Sequence, residues 1–332
     1  MPINRDSVAK LANVSSATVS RVYNTPEKVS EELRDQVLTA AKVLGYQPNS
    51  AAAILRRNKT GTIAFVEFSK KGRPYYWGDL NSFDWFFGRA IRGVQQVIGQ
   101  TSWQLRFYTV TSEHELKTIG AQCDGILAYD VDTQEEAAMF AKLNVPSVLS
   151  HHLFHSKDVS CICTDNRYGG VLQAKYLYSK GCKKPLYITG YLDTVIPHAQ
   201  RLERFQSIYP NTQVIVTEID DPNAYEVLSQ KIEKKVRSGS IDSIAAVNDL
   251  TLFSLVVRLF ETQSLPLVGY DASPLFMQFP HQVASIDIKS GQLYRKAAAQ
   301  LLHLLSSGRM KCDTVLPTLC LFGQGRTVEL AL

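Results

Sequence analysis

No C-x-x-C pair occurs among the six cysteines, which are scattered at 123, 161, 163, 182, 312 and 320. Zinc-ribbon and thioredoxin-type sites are thereby excluded, and in a reducing compartment such residues act as small buried hydrophobes. No apolar stretch approaches the length needed to cross a bilayer. The N-terminus also lacks the basic-then-apolar run of a signal peptide, so a cytoplasmic protein with no membrane partner is expected. Nucleotide and hydrolase signatures are missing as well. GQGRT at 323–327 has no Gly-Lys-Ser/Thr ending, and no G-x-S-x-G elbow exists. His151, His152 and His155 lie close together but lack a matched carboxylate or cysteine, and read as loop histidines. Neither a catalytic constellation nor a metal or cofactor is expected.

What remains is a 332-residue chain, 45% hydrophobic and 20% charged, with length for two or three domains. Its net charge of +5 is unevenly spread: the first sixty residues hold nine Lys or Arg against five Asp or Glu. A local basic region suits a polyphosphate partner, although a merely solvated basic face gives the same count.

The basic region contains SVAKLANVSSATVSRVYN, residues 7–24. Val8, Ala9, Leu11 and Ala12 can line one face of a first helix, Asn13 and Val14 make a turn, and Ser15 to Tyr23 form a second helix with Val19 and Val22 inward. Asparagine enters the left-handed region cheaply, so Asn13 suits the pivot. Two short helices joined by such a turn form a helix-turn-helix, whose second helix enters the DNA major groove. Ser30 reads as the N-cap of a third helix whose stripe of Leu33, Val37, Ala40, Ala41 and Leu44 stops at Gly45. A helical headpiece over 1–47 follows, then a linker over 48–60 in which SAAAILRRN can form a short hinge helix, marginal alone in water.

From residue 61 to 332 the pattern alternates strands and helices. Strands are expected at 62–68, 104–110, 125–130, 146–150, 185–190, 213–219, 243–247 and 266–270, with helices such as 89–99 and 167–181 between them. Near-continuous apolar strands indicate parallel sheets covered on both faces. The βαβ rhythm runs twice, so the fold class is α/β: a helix-turn-helix headpiece and a two-lobed, periplasmic-binding-protein-like core of doubly wound parallel sheets. The first lobe is expected over about 61–160 and 288–316, the second over about 161–287 and 317–332.

These residues resemble a known family. VAKLANVSSATVSRVYN, then VSEELRDQV and GYQPN, with a hinge ending in Leu55, resemble the LacI/GalR family of bacterial transcription repressors. TDNRYGGVLQAKYL at 164–177 is similar to its D-N-x-x-G-x-x-x-A element, Arg201 to Phe205 to its R-x-x-G-F without the glycine, AVNDL at 246–250 to its A-x-N-D turn, and VGYD at 268–271 to its V-G-F-D strand end. Asn13 departs from the family's usual turn glycine, Ser7 from a frequent Asp, Ala53 from a hinge Arg, and the segment between Asn248 and Gly269 is short.

The resemblance implies that Ser16, Ala17 and Arg21 read bases, with Arg21 suited to the O6 and N7 of guanine. Ser15, Thr18, Ser20, Asn24 and Ser30 would contact phosphates, each with a helix cap or exposed hydroxyl as its plainer reading. Asn4 and Arg56 complete the implied DNA set. Leu55 would wedge into the minor groove, or else pack on the core. A single helix-turn-helix reads too few bases for a genome, so a homodimer on near-palindromic double-stranded operator DNA is expected. No added leucine heptads point to a tetramer.

The crevice between lobes would take a small-molecule effector, a saccharide. Arg201, Asn248 and Asp271 can bond vicinal hydroxyls. Phe68, Ser69 and Trp85 are placed at the first lobe's edge, with core packing an equal reading for Trp85. The reading is an effector-controlled repressor of sugar-utilisation genes. Its rivals are a stand-alone sugar-binding protein, disfavoured by the headpiece, and a sugar-processing enzyme, disfavoured by the missing catalytic groups.

Overall fold

The structure, a computed structural model, describes residues 4–24, 28–46, 60–69, 84–129, 131, 133–151, 159–219, 221, 223–259, 265–323 and 326–330. Two compact units are present, Met1–Gly61 and Thr62–Leu332.

In the first unit Asn4 opens α1 (Arg5–Leu11): its side chain accepts the Ser7 amide at 2.9 Å, and the Ser7 hydroxyl faces the Asn4 amide in a reciprocal cap. Asn13 takes the turn at φ 48°, as its side chain permits. Helices α2 (Ser16–Asn24) and α3 (Glu31–Leu44) follow. Val8, Ala9, Ala12, Val19, Val22, Val37, Ala40 and Ala41 form the buried core. Leu11, expected inward, is instead 51% exposed. With about 3.6 residues per turn, Val8, Ala9 and Ala12 share an arc whose centre lies roughly a third of a turn away from Leu11. Helix α3 ends where Gly45 turns left-handed at φ 64°, with Gly45 and Tyr46 amides donating to Lys42 and Ala41 carbonyls at 3.2 and 2.9 Å.

The second unit runs β1 (Thr62–Phe68), α4 (Asp84–Ile98), β2 (Gln104–Val110), α5 (Glu113–Gly120), β3 (Gly125–Tyr129), α6 (Gln134–Ala141), β4 (Ser147–His151) and β5 (Ser160–Thr164). It continues with α7 (Asn166–Ser179), β6 (Pro185–Thr189), α8 (Ile196–Gln206), β7 (Gln213–Val216), α9 (Ala224–Arg237), β8 (Ser243–Ala246), α10 (Asp249–Val256), β9 (Leu267–Tyr270) and β10 (Val283–Asp287). Last come α11 (Ser290–Ser307), β11 (Cys312–Val315), β12 (Thr318–Gly323) and β13 (Arg326–Leu330). Two sheets result, ordered β11-β5-β4-β3-β1-β2 and β13-β12-β10-β9-β8-β6-β7. All pairings are parallel except β10 with β12 and β12 with β13.

Alternation along the strands assigns the layers. Ile63, Phe65, Leu127 and Tyr129 pack with α4 and α11, while Ala64, Val66, Ile126 and Ala128 join Leu116 of α5 and Phe140 of α6. In the second sheet Tyr187, Ala245, Val268 and Tyr270 meet α7 and α8, and Leu186, Ile188, Ile244 and Ala246 meet α9 and α10. Both faces of each sheet are covered, as near-continuous apolar strands require.

The chain passes between the sheets after Thr164, after Asp287 and after Val315. The first crossing lies later than the boundary near residue 160 read from sequence, because Ser160–Thr164 pairs with β4 and β11 in the first sheet. In each sheet the strand order reverses at one place: between β1 and β3 in the first, and between β6 and β8 in the second. Such switch points open crevices at the carboxyl ends of the strands.

Candidate functional site

Helix α2 owes its start to Ser15, whose Oγ accepts the Thr18 amide at 3.1 Å and lies 2.9 Å from Thr18 Oγ1. The Ser16 hydroxyl donates to Asp6, tying the first turn of α2 to α1. Ala17 and Arg21, four residues apart and so on one helix face, are both exposed, while Thr18 and Ser20 are half-buried. Asn24 closes α2. Ser30 is the N-cap position of α3 and is exposed, but its side chain makes no cap bond, leaving the hydroxyl outward. Of the implied DNA-contacting residues, Asn4 and Ser15 are helix caps. Leu55 and Arg56, with most of the hinge, lie outside the described residues.

The second lobe concentrates its polar groups at the switch point between β6 and β8. Arg201 of α8 is 3% exposed. Its Nε donates to Asn166 Oδ1 at 2.9 Å and its Nη1 to the Val247 carbonyl at 2.7 Å. Nη2 stands 4.0 Å from Asp271 Oδ1, and the guanidinium lies 3.6 Å from the Tyr270 ring centroid. Tyr270 Oη donates to Asn166 Oδ1 at 3.4 Å. Asp271 follows β9 with φ 98°, a left-handed backbone that is strained for a non-glycine residue. Behind this front, Asp249 is fully enclosed. Ser285 Oγ donates to both its oxygens at 2.8 and 2.7 Å, and the Ser273 amide at 2.7 Å. Burial, then the like charge of Asp271, pushes the Asp249 carboxyl well above the usual carboxylate range. Gln173 bridges the Ala246 and Gly269 carbonyls at 2.8 and 3.0 Å and accepts Tyr187 Oη at 3.2 Å.

Asn248 serves first as the N-cap of α10, its Oδ1 accepting the Thr251 amide at 2.8 Å, and its backbone adjoins the Val247 carbonyl that Arg201 holds. Arg201, Asn248 and Asp271 are therefore brought together. In the first lobe, Ser69 is half-buried and its amide donates to Val110 at 2.7 Å. Phe68 is 5% exposed and packs edge-on against Phe140 at 5.8 Å, among the residues of the α5–α6 face. Trp85 is half-buried against the main core, edge-on to Phe86 at 5.7 Å and with Arg89 4.9 Å above its ring. The structure thus puts both rings in packing roles. Asn166, Tyr270 and Asp249 are members of the cluster that site reasoning from sequence passed over. The D-N and N-D pairs at 165–166 and 248–249 were the available signal.

The His151, His152 and His155 side chains lie outside the described residues, and among the described residues no cluster of three His, Cys, Asp or Glu could hold a metal. No helix of the described residues is long and apolar enough to cross a membrane. Five cysteines are buried, while Cys312 is exposed.

Residues 6–49 match the family of bacterial regulatory proteins, lacI family. The chain is 26% identical over 323 residues to the NTD biosynthesis operon regulator NtdR of Bacillus subtilis (strain 168), covering 91% of this chain and 92% of that protein. To the ribose operon repressor of Escherichia coli (strain K12) it is 24% identical, covering 90% and 92%. Among solved structures, a transcriptional regulator CelR–cellobiose complex superposes with a TM-score of 0.64 at 21% identity, over 96% of this chain and 98% of that one. A helix-turn-helix unit joined to a two-sheet α/β core defines a DNA-binding regulator. The chain carries the helix-turn-helix of the lacI family at residues 6–49, and over about nine-tenths of its length it is similar to operon regulators.

Proposed function

We propose that this protein is a cytoplasmic, sequence-specific repressor of carbohydrate-utilisation genes. It binds a near-palindromic operator as a homodimer and is controlled by a saccharide held between the lobes of its core. The observation that carries the effector half is the buried Arg201 fork beside Asn166, Tyr270 and Asp271 at a switch point. A saccharide offers vicinal hydroxyls that can take a second hydrogen bond from Arg201 or donate to Asp271. The relatives support the choice: one is named for the ribose operon, and the CelR structure holds cellobiose. Three crossings between the sheets act as the hinge on which lobe closure turns, so effector binding biases operator affinity through lobe angle.

In the headpiece, Arg21 and Ala17 read bases from the exposed face of α2, and Ser16 contributes less because its hydroxyl proton is engaged by Asp6. Ser15, Thr18, Ser20, Asn24, Ser30 and Asn4 contact the phosphate backbone, while Leu55 and Arg56 of the hinge enter or flank the minor groove. No catalytic role is assigned.

The test selects operators from fragmented genomic DNA with the full chain, then measures fluorescence anisotropy of an enriched fragment with pentoses, hexoses and disaccharides. The expected result is salt-sensitive, sequence-selective binding altered by at least one saccharide, which also raises the melting temperature by mass action. Absent or sequence-independent binding overturns the repressor reading. Selective binding that no saccharide alters, with no melting shift, overturns the effector class alone.

A further inference from the structure

An open pocket of about 530 Å3 lies between α4 and the first turn of α11 and shares no lining residue with the Arg201 cluster. Glycine at 93 allows this approach, since a Cβ there would stand 2.2 Å from the Gly291 carbonyl. The two helices therefore bring Arg89 and Arg92 against Lys289, Ser290 and Arg295, with Asp287 the one acid lining the space. Its size suits a small metabolite.

Three independent features point to an anion. First, α11 has eighteen residues but no side-chain cap: the N-cap position is Lys289, left-handed at φ 56°. The first-turn amides of a helix lack intrahelical acceptors and carry positive potential. Second, Ser290 is 2% exposed, lines the cavity, and its Oγ has no hydrogen-bond partner among the described residues. A buried hydroxyl left unpaired is costly, and a bound acceptor removes the cost. Third, the cations are not spent on each other's neighbours alike. Lys289 is held by Glu329 at 2.9 Å and Asp287 at 3.6 Å, and Arg89 sits over Trp85. Arg92 and Arg295, both exposed, have no ion-pair partner among the described residues.

We propose that this cavity binds a phosphate group, with Arg92 and Arg295 as its forks, the α11 amides as its base and Ser290 Oγ as a donor. The group is inorganic phosphate or the phosphoryl end of a small metabolite. The site shares no residue with the saccharide cleft, but Asp287 and Lys289 belong to one of the crossings between lobes. Occupancy there ties α4 to that crossing and adds a second input to lobe closure.

Isothermal titration of the full chain with inorganic phosphate and with glycerol 3-phosphate, at matched ionic strength and with glycerol as control, decides the matter. One saturable site per chain is expected, weakened about tenfold or more in Arg92→Gln/Arg295→Gln, as loss of charge-assisted bonds implies. Ser290→Ala, which keeps every cation, should weaken it several-fold. Tighter glycerol 3-phosphate binding supports a metabolite, and equal affinities support free phosphate. No saturable heat, or equal affinity in the double variant with its fold intact by circular dichroism, overturns the assignment. A melting shift that grows linearly with phosphate in both proteins is solvent exclusion, and overturns it too.

Discussion

In the headpiece, the side chains proposed to read bases, Ala17 and Arg21, are exposed on α2, outside a core of eight buried Val and Ala residues. In the second lobe, the Arg201 guanidinium proposed to meet an effector is 3% exposed and locked to Asn166, Val247 and Tyr270. The first arrangement suits a partner that brings its own charge and displaces water on docking. The second suits a small neutral ligand, which needs donors already aligned and desolvated. A consequence follows for mutation. At Arg21 function should separate from stability, whereas in the cleft the two should be inseparable, because the groups proposed to bind also hold β8, β9, α7 and α8 together.

Arg201→Leu tests the inseparable half and should have the largest effect. Removing one member of a buried charged network costs about 3–5 kcal/mol, since Asp271 loses the nearby positive charge and Asn166 and the Val247 carbonyl lose a donor. All three tryptophans, Trp77, Trp85 and Trp103, fall within the sequence span of the second unit, Thr62–Leu332, so their fluorescence in a urea titration reports that unit alone. Loss of effector response with an unmoved urea midpoint would break the comparison.

One substitution made in both regions sharpens it. A Cβ at Gly269 would fall 1.9 Å from Asp249 Oδ1. Asp249 cannot yield easily, being held by Ser285 and the Ser273 amide, so Gly269→Ala should fall toward the upper end of the about 1–3 kcal/mol of overpacking. At Gly45 a Cβ meets nothing within 4 Å, and only the left-handed φ of 64° is penalised, by about 1 kcal/mol. Chemical denaturation followed by circular dichroism for the headpiece and fluorescence for the core measures both. Equal shifts would mean that Asp249 moves freely.

Sequence reading succeeded where periodicity is strong and failed where it is not. The pattern from Thr62 to Phe68, all branched or aromatic save Ala64 and Glu67, specifies its strand, and Asn13 specifies its turn. Ser160–Thr164, with serine, two cysteines and threonine around one isoleucine, carries little strand propensity and is held by neighbours on both sides. That omission displaced the lobe boundary. In the site, Asn248 and Asp271 were legible as chemistry at strand ends, and Arg201 as a fork of donors. Asp249, Asn166 and Tyr270 were not, because their roles arise from pairings with Ser285, Arg201 and each other that are remote in sequence. Phe68 failed in the opposite way: its position at a strand end suggested a ligand face, while strand alternation turns its ring to Phe140.

Arg21→Ala tests the separable half and should have the smallest effect on stability. An exposed side chain outside the headpiece core contributes within about 0.5 kcal/mol on removal. Ala17 and the Ser15 cap remain, and alanine is itself the best helix former, so α2 should persist. Operator affinity should nonetheless fall by about 1–3 kcal/mol, the discrimination of one bidentate base pairing, with preference relaxed at a single base pair in each half-site. Headpiece melting by circular dichroism and anisotropy on single-base operator variants read the two quantities separately. A uniform loss across all variants, with the salt slope reduced by about one, would instead make Arg21 a phosphate contact and assign base reading to Ser16 and Ala17.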